Sequence, residues 1–357
     1  MKIRNFPTTG GGLAGALYLT AAAADHGAVE GTVVGNIVTT LIAPTLSIVG
    51  GDNTFKIVGT QLQAGSVATN WTAAAADAQG RKVKPIVLRA AQADGTALEI
   101  GVNIVIQWVP SLLGAALISL LDAADASKIT AAGGLVSSFR DHAGIDFVQA
   151  TGAAQPGWDG SALSFDGSND FLQPAAFPTA WPRTTLESWV WCVAENNLPG
   201  ATLPGRTAFS YGTTSTRRGV SRTILTDGGG VQRNRFQALA TSTLGLNDTV
   251  TDLDGVFIGG ARYVAGGASL AARLNGADTT PATAAQAFNT SATSTVARIG
   301  ANCGTAAGAF WSGRWFAGAI TGALTNTQRD LLEGWLAWRT GAQAKLAAGH
   351  PYKAYRP

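Results

Sequence analysis

Ala162-Leu163-Ser164-Phe165-Asp166-Gly167-Ser168-Asn169-Asp170-Phe171-Leu172 is the stretch whose reading decides the fold. Ala162–Phe165 reads as a strand, and Asp166–Asp170 holds the residues that turn a chain back on itself. Asp166, Ser168 and Asp170 also stand at alternate positions, as at the start of an EF-hand loop. The sixth position, however, is Phe171 where that loop needs Gly, and the twelfth is Phe177 where it needs Glu. The segment is therefore a hairpin turn inside a β structure.

Working outward, strand-like runs recur between Gly133 and Ile320. They are Leu135–Phe139, Thr185–Val193, Thr207–Tyr211, Arg235–Ala240, Val256–Tyr263, Ser269–Leu274 and Thr295–Ile299. Strands at this spacing predict a two-sheet sandwich of jelly-roll type. A helix closes the chain. Thr325-x-x-Gln328 forms a capping box, Leu331, Leu332, Trp335, Leu336 and Trp338 make its apolar face, and Gly341 ends it. Upstream, Ser111–Ala124 has helical character through Leu112, Leu113, Ala116, Leu120 and Leu121. Pro110 marks a boundary. Before it, Leu46–Val49, Phe55–Val58, Val83–Ala90 and Ile100–Val109 predict a small immunoglobulin-like sandwich over 41–110. Its last strand places Val102, Ile104, Ile106 and Trp108 on one face. Residues 1–40, rich in Gly, Ala and Thr, read as an arm or anchor, with Leu17–Leu19 and Val29–Val38 as short docked strands.

Only 13% of the 357 residues are charged, against about 25% in an average globular chain. That suits a surface partly covered by neighbours. A net charge of +3 is too small to imply nucleic acid. Basicity is local: Arg206, Arg217, Arg218, Arg222, Arg233 and Arg235 share a stretch with one acid, Asp227. Exposed hairpins explain such a run; so does a patch for a carboxylate-bearing or sulfated glycan or an acidic neighbouring subunit, which Arg grips bidentately. Lys2, Arg4 and the apolar run Leu13–Ala24 imitate a signal peptide. Glycine and threonine interrupt that run, so it reads as part of the folded chain. No stretch of about 20 apolar residues spans a membrane.

Catalytic patterns are sparse. Glu187 and Glu195 are the best local pair for a sandwich glycosidase, but eight residues of strand put them about 26 Å apart. A glycosidase needs about 5–9.5 Å. His142 follows Asp141, yet no Gly-x-Ser-x-Gly elbow occurs, and His26 and His350 are the remaining histidines. Asp248, Asp252 and Asp254 read as a solvated loop. Cys192 and Cys303 lack metal-ligand spacing and read as buried thiols. No metal or cofactor is expected. Trp189, Trp191, Trp335 and Trp338 read as core, whereas Trp158, Trp181 and Trp311 sit beside Gly or Pro or in loops. With Arg217, Arg218 and Arg222, these three are the candidate carbohydrate-binding residues.

Six segments carry a resemblance. Leu121–Thr130 (LDAADASKIT), Val136–Asp141 (VSSFRD), Ala162–Leu172, Leu270–Gly276, Ala297–Gly300 and Leu332–Arg339 with Gly349–Tyr352 resemble, in order, the concanavalin A-like (laminin-G-like) domains of tailed-phage virion proteins. They span residues 112–357. The glycine-rich Gly10–Leu19 is similar to openings of phage structural proteins. The resemblance implies a non-enzymatic virion protein. Residues 1–40 would contact other virion subunits, and the chain would form a homo-oligomer, a trimer by analogy. Its 111–357 domain would contact a host-surface glycan. A laminin-G-like calcium site assembled from distant loops stays open. The alternatives are a stand-alone lectin and a glycoside hydrolase of the same fold.

Overall fold

The computed structural model describes residues 16–79, 81–179, 181, 187–196, 206–212, 217–226, 232–238, 255–263, 270–278, 296–303 and 307–357. Residues 1–15, Asp227 and the Asp248, Asp252, Asp254 group lie outside the described residues. The protein is mainly β, in two compact units: residues 1–109 with Pro357, and Pro110–Arg356.

The first unit contains β1 (Leu17–Leu19), β2 (Ala23–Asp25), β3 (Val33–Thr39), β4 (Thr45–Val49), β5 (Phe55–Val58), β6 (Gln61–Ala64), β7 (Ala75–Ala76), β8 (Lys82–Ala91) and β9 (Ala97–Gln107). One sheet runs β1-β3-β6-β5, the other β2-β9-β8-β4 with β7 on β8. Val102, Ile104, Ile106 and Trp108 are buried as their alternation predicts. The expected arm is corrected here. Leu17, Leu19, Ala24, Val34 and Ile37 lie in the same core as Phe55, Leu62 and Ile104. β2 pairs in parallel with β9, and β3 pairs with β6. Residues 17–39 are thus part of the sandwich, because their alternate apolar residues complete its two sheets.

The second unit adds β10 (Leu117–Asp122), β11 (Ile129–Ala132), β12 (Leu135–Arg140), β13 (Asp146–Val148), β14 (Gly157–Trp158), β15 (Leu163–Asp166) and β16 (Gln173–Pro174). It continues with β17 (Ser188–Asn196), β18 (Arg206–Gly212), β19 (Arg217–Thr226), β20 (Gln232–Ala238) and β21 (Gly255–Tyr263). β22 (Leu270–Leu274), β23 (Ala277–Asp278), β24 (Val296–Ile299), β25 (Ser312–Thr321) and α1 (Asn326–Arg339) complete it. The large sheet runs β16-β13-β12-β14-β15-β25-β17-β21-β22-β23, with β10 on β25 and β11 on β12. The small sheet runs β20-β19-β18-β24. One core, with Phe139, Phe165, Val190, Phe209, Trp315 and Ile320, lies between them. This is a jelly-roll-like sandwich with a closing helix.

The helix expected over Ser111–Ala124 is replaced by short 3-10 turns and β10. Gly114 adopts φ 54°, ψ −130°, which interrupts helical geometry. Leu117, Ser119 and Leu121 are buried alternately, and β10 takes its backbone partners from β25. A short apolar run is locally ambiguous; the open edge beside β25 selects the strand.

Candidate functional site

β25 is central. β17 pairs along its whole length, while β15 and β10 share its other side. Val190, Cys192 and Ala194 enter the core, so Trp189, Trp191, Val193 and Glu195 belong to the outer face of the large sheet. Helix α1 covers part of that face. Trp189 and Trp191 stack at 5.0 Å, and the Arg329 guanidinium stands 5.4 Å from the Trp189 ring centre. Arg339 Nε donates to Asp122 Oδ2 at 2.7 Å. Beneath the helix, Arg273 Nε is 3.0 Å from each Glu333 oxygen and its second terminal nitrogen donates to Oε2 at 2.7 Å. The same guanidinium reaches Asp278 and Asp330 at 3.0 and 3.1 Å.

Asp330, Glu333 and His350 bring potential metal-ligand atoms within 4.8 Å of one another. Arg273 already engages both Glu333 oxygens and Asp330, so a cation stands where a metal would. We read the group as a charge lock for the helix. Burial opposes the Arg273 charge, but Glu333 and Asp278 outweigh it and raise the pKa above the usual arginine value.

The sheet face beyond the helix is polar and accessible. Arg314 of β25 lies opposite Ser164 of β15 and Glu195 of β17. Its guanidinium donates to Asp159 Oδ2 at 2.5 Å and Ser161 Oγ at 3.2 Å, and stands 3.9 Å from Glu195 Oε2. The Phe316 ring centre lies 4.8 Å from the same guanidinium. Side-chain exposures of 33% for Arg314, 45% for Asp159 and 26% for Glu195 leave all three within reach of solute. Asp159 is held by its own turn: its Oδ1 accepts the amides of Ser161 and Ala162 and the Ser161 hydroxyl. Burial works upward on Asp159, but these donors and Arg314 prevail and bring its pKa down to about 2. It is an anion and an acceptor throughout the neutral range. The result is a fixed array of acceptors, guanidinium donors and hydroxyls on a β surface, beside a largely buried aromatic ring.

The residues proposed from sequence are distributed differently. Trp181 is 1% exposed and Trp311 0%. Trp181 packs among Phe147, Phe177, Phe209 and Tyr211. Trp311 packs on Phe257 and donates to the Arg314 carbonyl at 3.3 Å. Neither ring face is open to a sugar: the loop-like flanks concealed core positions. Trp158 is half-buried and its Nε1 donates to the Ala123 carbonyl at 2.9 Å, which anchors the chain next to Asp159. Arg217, Arg218 and Arg222 lie on β19, in the other sheet. Glu187 pairs with Arg262 at 2.7 Å rather than with Glu195. Asp166 accepts the amides of Ser168 and Asn169, and Asp170 accepts that of Asp166, as a turn requires. Asp159, Ser161 and Arg314 were missed. Their signals are an Asp-Gly turn after Trp158 and a lone charge inside the aromatic run Phe310–Phe316.

No family model matches the chain, and no curated protein matches it. Among solved structures it is similar to Trypanosoma rangeli sialidase in complex with sialic acid, at 10% identity and TM-score 0.42, covering 72% of this chain and 45% of that one. The chain thus spans under half the length of that sialidase. It is also similar to domain 4 of a GH43 extracellular arabinanase from Geobacillus stearothermophilus, in complex with arabinotriose. That match has 14% identity, TM-score 0.34 and coverages of 59% and 95%. The CBM2 module of the evolved Dit of Lactobacillus casei BL23 phage J-1 matches at 15% identity, TM-score 0.33 and coverages of 58% and 96%. Likeness at this level concerns the β-sandwich alone. It nevertheless corrects one expectation: the chain cannot be set down as non-enzymatic on its fold, because sialidases and an alginate lyase are among the similar structures. Among the described residues no helix is long and apolar enough to cross a membrane.

Proposed function

We propose that this chain is a glycan-binding β-sandwich protein of a phage or phage-like particle, holding saccharide on the uncovered half of its large sheet. The observation that carries this reading is Arg314 fixed between Asp159 and Glu195 on an accessible sheet face. Sugar hydroxyls both donate and accept. Two carboxylates take their protons and the guanidinium meets their lone pairs, charge-assisted in each case. The trio carries one cation and two anions, which favours a neutral saccharide over an acidic one.

The placement on a particle is supported by the ordered resemblance of residues 112–357 to phage virion domains. The first unit is the better candidate for attachment to neighbouring subunits. Among the described residues, eight of the nine exposed large hydrophobic side chains lie in it, including Val29 at 76% and Ile42 at 83% exposure. The concentration of exposed apolar side chains in one unit supports contact with another protein through it.

The test is a neutral-glycan array with the full chain, read for binding and for released reducing ends. Arg314→Ala and Asp159→Asn are expected to lower affinity at least 10-fold without altering the fold. Unchanged affinity in both variants would reject the site. Release of reducing ends, lost in the same variants, would assign glycoside hydrolysis to this face.

A further inference from the structure

We propose that the Arg314 face continues into an apolar subsite at Leu135 and Gly157, and that its ligand is an oligosaccharide ending in a 6-deoxyhexose. The inference rests on the reading of that face as a glycan site and names the class of sugar it selects. Among the described residues, Leu135 is the one exposed large hydrophobic side chain of the Pro110–Arg356 unit, at 41%. Backbone register places it on the row that carries the charged trio.

Across the large sheet, Ala132 of β11 stands opposite Leu135 of β12, and Leu135 opposite Gly157 of β14. Gly157 stands opposite Ser164 of β15, Ser164 opposite Arg314 of β25, and Arg314 opposite Glu195 of β17. Val136, Leu163, Trp315 and Ala194 enter the core, and Trp158 packs against it. Alternation therefore turns their neighbours Leu135, Gly157, Ser164, Arg314 and Glu195 to the outer face. Adjacent strands lie about 4.8 Å apart, so Leu135, three strands away, stands about 14 Å from Arg314.

Gly157 leaves that interval open. It has no side chain, and a Cβ built on it would meet nothing closer than Ser164 Cβ, at 3.7 Å. Gly157 thus floors a shallow trough, with the Ser164 hydroxyl and the charged trio at one end and Leu135 with the exposed Ala132 at the other. The span exceeds one sugar ring, so a ring held at Arg314 does not touch Leu135, whereas a chain of two or three rings does. Beyond Ser164 the row offers no hydrogen-bonding side chain. The nearest hydroxyl along β12, that of Ser137, donates to the Thr130 carbonyl at 3.2 Å. A hydroxyl or acetamido group pressed onto Leu135 would therefore lose hydrogen bonds to water without replacement. A C-methyl group needs no partner there, and its contact with Leu135 removes apolar surface from water. A 6-deoxyhexose supplies that methyl and carries no charge, as the balance of the trio favours.

The test is calorimetric titration of the full chain with trisaccharides ending in L-rhamnose or L-fucose. Each is paired with the same trisaccharide ending in L-mannose or L-galactose, which keeps the 6-hydroxyl. The 6-deoxy sugars are expected to bind about 4-fold tighter, the worth of one methyl group taken from water. Leu135→Ser is expected to abolish that preference. Gly157→Val, which fills the trough with a residue suited to a strand, is expected to weaken the 6-deoxy trisaccharides about 10-fold. Equal affinity within each pair, or a preference that survives in Leu135→Ser, would overturn the proposal. So would failure to bind the 6-deoxy trisaccharides alongside binding of other neutral glycans. Tighter binding of trisaccharides ending in N-acetylglucosamine would overturn the 6-deoxyhexose assignment. Failure of the Arg314 reading would look different: Arg314→Ala would leave every affinity unchanged. Failure of this inference alone would leave Arg314→Ala weakened for all these sugars while each pair was bound equally.

Discussion

Replacing Glu333 with Gln keeps the volume of the side chain and removes its charge, which tests the helix lock directly. Glu333 is fully buried and the Arg273 side chain is 6% exposed, so the cation left behind stays out of water. Stripping one partner from a buried pair costs about 3–5 kcal/mol. Arg273 keeps Asp278 and Asp330, whose side chains are 67% and 27% exposed, so the lower end applies. In a unit of this size about 3 kcal/mol lowers Tm by roughly 6–12 °C. The assay is calorimetry of the full chain, with the loss confined to the transition of the Pro110–Arg356 unit. Arg273→Met/Glu333→Leu is expected to recover most of it, because neither charge remains buried. A loss below about 1 kcal/mol in E333Q, or a double variant as weak as the single, would refute the reasoning.

Gly334→Ala should gain about 1 kcal/mol from helix propensity alone. A Cβ there would stand 2.6 Å from Tyr352 Cβ, so a net loss in urea-unfolding stability is expected instead. Gly260→Ala would push a methyl within 2.4 Å of the buried Trp191 ring, and a loss of about 1–3 kcal/mol is expected from the same measurement. The folded-state pKa of Asp159 lies below its unfolded value of 3.8, so its contribution is full above about pH 4 and fades as pH falls towards about 2. Asp159→Asn should flatten the acid-side fall in stability over that interval; an unchanged profile would count against the Arg314 contact. Cys192 and Cys303 are buried, and burial pushes the Cys192 thiol well above its ordinary pKa. Both should resist a thiol reagent until the unit unfolds, and rapid labelling of the native protein would contradict their placement.

Local chemistry was legible in the sequence wherever one element determines its own form. The Thr325/Gln328 capping box closes as its spacing demands. The Asp166–Asp170 turn satisfies its own amides, and the alternation of Val102, Ile104 and Ile106 gives the buried face of β9. Tertiary structure decided what depends on a distant partner. β10 is a strand because β25 offers an edge, although its leucines also fit a helix. Leu17 and Leu19 are core because the sandwich needs them, although their glycine-rich surroundings read as an arm. Trp181 and Trp311 are core because aromatic rings from elsewhere in the chain surround them. The candidate site is the extreme case. Asp159 and Arg314 are 155 positions apart and meet only because β15 and β25 are neighbours in one sheet. Sequence spacing carries short-range hydrogen bonding and burial periodicity; which strand lies beside which is settled by how the whole chain buries its apolar surface.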